Sequence, residues 1–77
     1  MTNMLKIDVV IEHDGDGYIA YSNNSKSCTI IGKGKSVREA KADYINSMAE
    51  TIDFYLQKGD RIPDELLSLP IFIDKTK

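Results

Sequence analysis

A chain of 77 residues has room for one domain with a small core, and domains of this size often gain stability by association. Ten basic and twelve acidic residues give a net charge of −2, which argues against binding of nucleic acid through a strongly basic surface. A single cysteine excludes an intrachain disulfide, and the sequence has neither an apolar run of about 20 residues nor a signal peptide. We therefore expect one cytoplasmic domain, residues 1–77.

The first predicted element is a strand over residues 4–12, because apolar and polar side chains alternate there. One face of this strand would carry Leu5, Ile7, Val9 and Ile11, and the other Lys6, Asp8, Val10 and Glu12.

The HDGDG stretch, residues 13–17, is predicted to turn the chain, because Asp and Gly favour tight connections between strands. The alternating acidic residues around it also resemble the first half of an EF-hand calcium loop. A strand precedes this stretch, however, and Asn23 occupies the position where the calcium loop needs a bidentate glutamate. We therefore prefer the turn.

A second strand is predicted over residues 18–22, with Glu12 opposite Tyr18. This register places Ile11 beside Ile19 and keeps the apolar faces of the two strands together. A polar turn over 23–27 would lead to a third strand over 28–31, which we expect to end at the Gly-Lys-Gly sequence, residues 32–34.

A helix is predicted over residues 36–58. Ser36 and Glu39 have the spacing of a capping box, and Gly59 is suited to the C-terminal cap. The expected apolar stripe consists of Val37, Ala40, Tyr44, Met48, Ile52 and Tyr55, widened by Ile45, Ala49 and Leu56.

The last predicted strand covers residues 69–73, and Pro70 within it indicates an edge position or the start of the strand. The order β-β-β-α-β predicts an α+β two-layer sandwich, in which a three-stranded antiparallel meander and a returning strand are covered by one helix on one face. One helix cannot cover both faces of the sheet.

Candidate chemical groups are few. The carboxylates from Asp8 to Asp16 leave open a small metal-dependent nuclease or ligand-binding protein, but Asp8 and Glu12 lie ~13 Å apart along a strand, too far to share a metal pair. The basic residues Lys33, Lys35 and Arg38 are an open candidate for RNA contact. We predict no catalytic residue, no metal site and no cofactor.

Apolar residues outside the expected core indicate an interface with another protein. We expect Val10, Tyr18 and Ala20 on the uncovered face of the sheet, Phe54 opposite the apolar stripe of the helix, and Phe72 pointing away from Ile71 and Ile73. An uncovered face of this kind predicts a homodimer, a higher oligomer or a complex with another protein.

Several stretches together resemble the HicB-like antitoxin family: LKIDVVIEHD, DGDGYIAYS, CTIIGKG, SVREAKADYINSMAETIDFYL and GDRIPDE. The resemblance covers nearly all of residues 4–73. It implies a partial ribonuclease H-like fold without the nuclease's acidic residues, self-association, and neutralisation of a small basic HicA-like toxin that cleaves mRNA.

Two features depart from that family. The loop over residues 22–27 lacks the usual proline and glycine, and no DNA-binding segment follows the last strand, so we expect no separate DNA-binding domain and no direct DNA binding. The leading hypothesis is a non-catalytic interaction module, either a HicB-like antitoxin or an orphan relative of one.

Overall fold

The computed structural model describes residues 6–22 and 30–76, apart from the side chains at positions 64 and 65. Its elements are β1 (Lys6–Asp14), β2 (Gly17–Ser22), β3 (Ile31–Gly34), α1 (Val37–Lys58), a 3-10 helix (Asp64–Leu67) and β4 (Leu69–Asp74). The predicted strand start at residues 4–5, the predicted turn at 23–27, and the strand residues Cys28 and Thr29 lie outside the described residues.

The four strands form one mixed sheet in the order β3-β2-β1-β4. β2 is antiparallel to both β1 and β3, whereas β4 runs parallel to β1. α1 packs on one face of this sheet, mainly over β3 and β2. The predicted α+β sandwich of β-β-β-α-β order is confirmed.

The connection between β1 and β2 is a two-residue turn. Asp14 pairs with Gly17, and Gly15 has a φ of 62° while Asp16 does not have a positive φ. A positive φ at the first central residue alone is typical of a type II′ turn, which suits the twist of a hairpin. The prediction that this acidic stretch turns the chain is confirmed.

The predicted register between β1 and β2 is wrong by one residue. Glu12 lies opposite Ile19 rather than Tyr18, and Ile11 lies opposite Ala20. The cause is the length of the connection, which takes two residues where the prediction left five. Because side chains alternate along a strand, this shift moves every side chain of β2 to the other face of the sheet.

Local hydrogen bonds fix the start of α1. The Ser36 Oγ accepts a hydrogen bond from the Glu39 N–H at 3.1 Å, as the capping box predicts. The Glu39 carboxylate, however, accepts from the Lys35 N–H at 3.1 Å, one residue earlier than expected.

The end of α1 is a left-handed glycine. Gly59 has a φ of 75°, its N–H donates to the Leu56 carbonyl, and the Asp60 N–H donates to the Tyr55 carbonyl. These two bonds are those of a Schellman motif, which a residue without a Cβ forms at least cost. The predicted helix bounds are confirmed.

The core lies between α1 and the covered face of the sheet. Its buried residues are Ile7, Val9, Ile11, Ala20, Ile30, Ala40, Tyr44, Met48 and Leu66. Val37, Ile52 and Tyr55 pack against this core as predicted. The predicted widening of the stripe is wrong, because Ile45 is 44% and Leu56 is 64% exposed and Ala49 is exposed as well.

β3 begins at Ile31 and includes the two glycines that were predicted to end the strand. A Cβ on Gly32 would overlap the backbone nitrogen of Tyr44 and the carbonyl oxygen of Ala40. A Cβ on Gly34 would overlap the side chain of Glu39. The glycines therefore allow α1 to lie directly against β3, which is a reason for glycine within a strand.

Candidate functional site: the open face of the sheet

The sheet has an open face, opposite α1, made of residues that alternate with the core residues on each strand. On this face β1 contributes Lys6, Asp8, Val10 and Glu12; β2 contributes Ile19 and Tyr21; β3 contributes Ile31 and Lys33; and β4 contributes Leu69, Ile71 and Ile73. Both α1 and Leu66 of the 3-10 helix pack on the other face.

An apolar row crosses the middle of the open face. Tyr21 pairs with Val10 on one side and with Ile31 on the other, and Val10 pairs in turn with Ile73. Paired residues of neighbouring strands project on the same side of a sheet, so these four side chains form an uninterrupted row over all four strands.

The apolar surface continues beyond this row along the strands. Ile19 adjoins Tyr21 on β2, and Ile71 and Leu69 continue along β4. Ile31, Ile71 and Leu69 are 42%, 38% and 44% exposed, respectively. The open face is therefore a contiguous apolar surface rather than a set of scattered side chains.

Val10 lies in the centre of the apolar row and is only 4% exposed. It does not belong to the core cluster beneath α1. The prediction that Val10 lies on the uncovered face is confirmed.

Three other predicted interface residues lie on the face that α1 covers. Ala20 is fully buried opposite Gly32, and Tyr18 packs against the core. Phe72 lies opposite Val9 and also packs against the core. The predicted placement of Tyr18 and Ala20 on the uncovered face is wrong, because the register of β1 with β2 differs by one residue. Phe72 points away from Ile71 and Ile73 as predicted, but it points toward the core and not toward a free surface.

Phe54 lies on α1 and is 55% exposed, which agrees with its predicted position opposite the apolar stripe. Its ring lies 5.1 Å from the Lys58 Nζ and 6.0 Å from the Tyr55 ring. It is separate from the open face, since it is part of the helix that packs on the opposite side of the sheet.

A hydrogen bond links Tyr21 of the apolar row to Glu12 in the neighbouring row. The Tyr21 hydroxyl donates to the Glu12 carboxylate, with both carboxylate oxygens at 3.0 Å. This hydrogen bond, together with burial of the phenol and the negative charge of Glu12, raises the pKa of Tyr21 above its ordinary value. The pair holds the Glu12 side chain at a defined place on the open face.

We expect Tyr21 to ionise at higher pH than an unperturbed tyrosine. The neutral phenol donates to Glu12, whereas the phenolate would place two negative charges together, so the stabilisation is present below pH ~10 and is lost as pH rises through the raised pKa. The difference in near-ultraviolet absorbance between the wild type and Tyr21→Phe, titrated from about pH 9 to 12, isolates this phenol. Glu12→Gln should lower the midpoint, and an identical midpoint in that variant would contradict the assigned cause.

Lys33 on β3 places a basic group next to the apolar row. It lies opposite Ile19, which lies opposite Glu12, so a second row runs acidic, apolar and basic across three strands. The Lys33 Nζ is 4.0 Å from the Asp14 Oδ2, but both side chains are more than half exposed. An ion pair this long and exposed contributes little and leaves the ammonium available to other groups.

The outer edge of β3 is covered by α1. The Lys33 N–H donates to the Asp43 carboxylate at 2.8 Å, and the Ser47 hydroxyl donates to the Ile31 carbonyl at 3.3 Å. Two of the backbone groups of β3 that could pair with a further strand are therefore bonded to helix side chains, which is one way proteins protect a sheet edge.

The candidate carboxylates do not form a metal site within the described residues. Among these residues, no three side chains of His, Cys, Asp or Glu form a group that could hold a metal ion. Asp8 and Glu12 lie four residues apart on one face of β1, with Val10 between them. No geometry in the described part of the chain favours the metal-dependent alternative.

Comparison of the chain with protein-family models, curated proteins and solved structures found no match. Within residues 6–22 and 30–76, no helix is both long enough and apolar enough to cross a membrane. Function is therefore inferred from the open face and from the resemblance in sequence.

Proposed function

We propose that this chain is a non-catalytic protein-interaction module that binds another protein chain on its open face. The single observation that carries the proposal is the apolar row of Val10, Tyr21, Ile31 and Ile73. A sheet face in contact with water normally carries polar residues, whereas here the middle of the face is apolar on every strand. Exposed apolar residues that adjoin one another on one face are typical of binding sites.

Charged groups beside the row indicate the chemistry of the bound surface. Asp8 and Glu12 flank Val10 on β1, so the row has a carboxylate on each side. Apolar burial would provide most of the affinity, and the carboxylates would select a surface that places basic groups around an apolar centre. The expected partner surface is therefore apolar in the middle and basic at its margin.

The biological role that we propose is that of a HicB-like antitoxin or an orphan relative. The partner would be a small basic protein, such as a HicA-like toxin that cleaves mRNA, and binding would block the toxin without any reaction. The sequence resemblance supports this role, and the Asp8 and Glu12 carboxylates beside the apolar row agree with a basic partner.

Co-expression with a small basic protein encoded in the neighbouring reading frame tests this proposal. The wild type should co-purify with that protein, and Ile71→Asp should weaken the complex at least ~10-fold, because it places a charge in the apolar surface. Ile45→Asp is the matched control: the same change at a side chain of similar exposure, 44% against 38%, on the outer side of α1.

Circular dichroism of each variant verifies that the fold is retained. Equal binding by Ile71→Asp and Ile45→Asp would contradict binding on the open face. A neighbouring basic protein that does not bind the wild type would contradict the antitoxin role.

A further inference from the structure

The open face carries both charges that a self-complementary interface requires. Glu12 on β1 and Lys33 on β3 lie in the same row, one strand to either side of Ile19 on β2. In the adjacent row, Val10 and Ile31 lie in the same way on either side of Tyr21. β1 and β3, the two neighbours of β2, thus carry opposite charges in one row and apolar groups in the next.

A two-fold axis parallel to β2 would bring these rows together in matching pairs. Such a rotation exchanges β1 and β3 between two copies that face each other and places β2 over β2. Glu12 then faces Lys33 of the second copy, and Lys33 faces its Glu12. Val10 faces Ile31 in the same reciprocal way, as an isologous interface requires.

We propose that the open face binds a second copy of this chain, with the two sheets packed face to face about an axis parallel to β2. This inference depends on the proposed function, since it names an occupant of the same face. The basic group that the carboxylates require is supplied by Lys33 of the second copy. Side chains of the two sheets would interdigitate at the usual spacing of about 10 Å.

Charge disfavours the other simple orientation. A two-fold axis along the apolar row, perpendicular to the strands, would place Glu12 over Asp8 of the second copy. That arrangement sets like charges against each other, which is costly at an interface. The axis parallel to β2 instead pairs opposite charges, and the hydrogen bond from Tyr21 already holds Glu12 in position for it.

The size of the overlap sets the expected affinity. Three strands spaced about 4.8 Å apart give a contact roughly 15 Å wide, which is narrower than the side of about 28 Å of a square patch of about 800 Å², the standard interface area per partner. We therefore expect a dissociation constant in the micromolar range, with monomer and dimer both populated as the concentration changes.

Sedimentation equilibrium measures dimerisation of the full chain and of variants in which the charges at positions 12 and 33 are reversed. Concentrations from about 1 to 500 µM bracket a micromolar dissociation constant. Glu12→Lys and Lys33→Glu should each weaken dimerisation at least ~10-fold, because each sets like charges against each other across the interface. The double variant with both changes should dimerise within about 3-fold of the wild type, since the pairs are opposite again. Glu50→Lys and Arg38→Glu make the same charge changes at exposed positions on α1 and should not alter dimerisation.

A second measurement needs no variant. Zero-length carbodiimide coupling of mixed labelled and unlabelled protein should join Glu12 of one isotope to Lys33 of the other, because only contact between two copies links the isotopes.

Dissociation in both single variants with recovery in the double variant, or the mixed-isotope product, supports the face-to-face dimer. A double variant that remains as weak as the single variants would overturn this arrangement, and a wild type that stays monomeric over the whole range would overturn self-association itself. Binding of the basic partner is measured in a separate experiment with Ile71→Asp. A result against the dimer therefore does not by itself contradict the binding of another protein on the open face.

Discussion

Gly32→Ala is expected to destabilise the fold by about 3 kcal/mol, at the upper end of what an added core methyl group costs. A Cβ at this position would overlap backbone atoms of Tyr44 and Ala40, which cannot rotate away as a side-chain end could. To make room, α1 must move off β3 and give up contacts of its buried residues. Since a domain of this length is stable by only about 4–12 kcal/mol, the loss is a large fraction of the total.

Urea denaturation of the variant and the wild type measures this loss as a shift in the midpoint. Lys33→Ala is the control, because it changes the next residue of the same strand on the side away from α1 and should cost less than about 1 kcal/mol. A Gly32→Ala midpoint close to that of Lys33→Ala would mean that α1 is not seated against β3 as described.

Tyr44→Ala is expected to cost about 4 kcal/mol, which is within the range for removal of a buried aromatic side chain. Tyr44 is 2% exposed, is among the largest fully buried side chains, and meets the Phe72 ring edge to face at 6.0 Å. Truncation would remove a buried side chain that joins α1 to β4 and would leave a cavity in the core.

Thermal and urea unfolding test this second prediction, with Tyr44→Phe as the matched control. The phenylalanine keeps the ring and its contact with Phe72, so we expect it to lose only about 1 kcal/mol. A loss below about 2 kcal/mol for Tyr44→Ala would show that the core collapses around the missing ring.

The ends of α1 could be predicted from the sequence because each is determined by a few neighbouring residues. Ser36 and Glu39 provide the N-terminal cap within four positions, and Gly59 adopts the left-handed conformation that closes the last turn. The order of strands and helix along the chain could also be predicted, and together these features predicted the fold class.

The register of β2 could not be predicted from its side chains. Residues 18–21 are Tyr-Ile-Ala-Tyr, so either pair of alternate residues is apolar enough to face the core. Only the length of the turn decides between them, and the signal was Gly15 followed by Asp16, since glycine at the first central position is typical of a two-residue hairpin turn. The residues of the open face depended on that choice, although the existence of such a face did not.

The extent of β3 and the side to which Phe72 points depend on tertiary contacts. Glycine normally weakens a strand, so the sequence predicts a strand end at Gly32, whereas in the structure Gly32 lets α1 approach β3. Phe72 faces the core because β4 joins the sheet beside β1 with Phe72 opposite Val9. Neither the helix approach nor this pairing is encoded in the adjacent residues.

The protection of β3 by Asp43 and Ser47 also limits how far these sheets could extend into a larger assembly. Because this edge is covered, at most the other edge of the sheet, along β4, can accept an extra strand. Two such sheets joined along their β4 sides would have no side left for a third. Growth by strand addition alone would therefore stop at a pair of sheets.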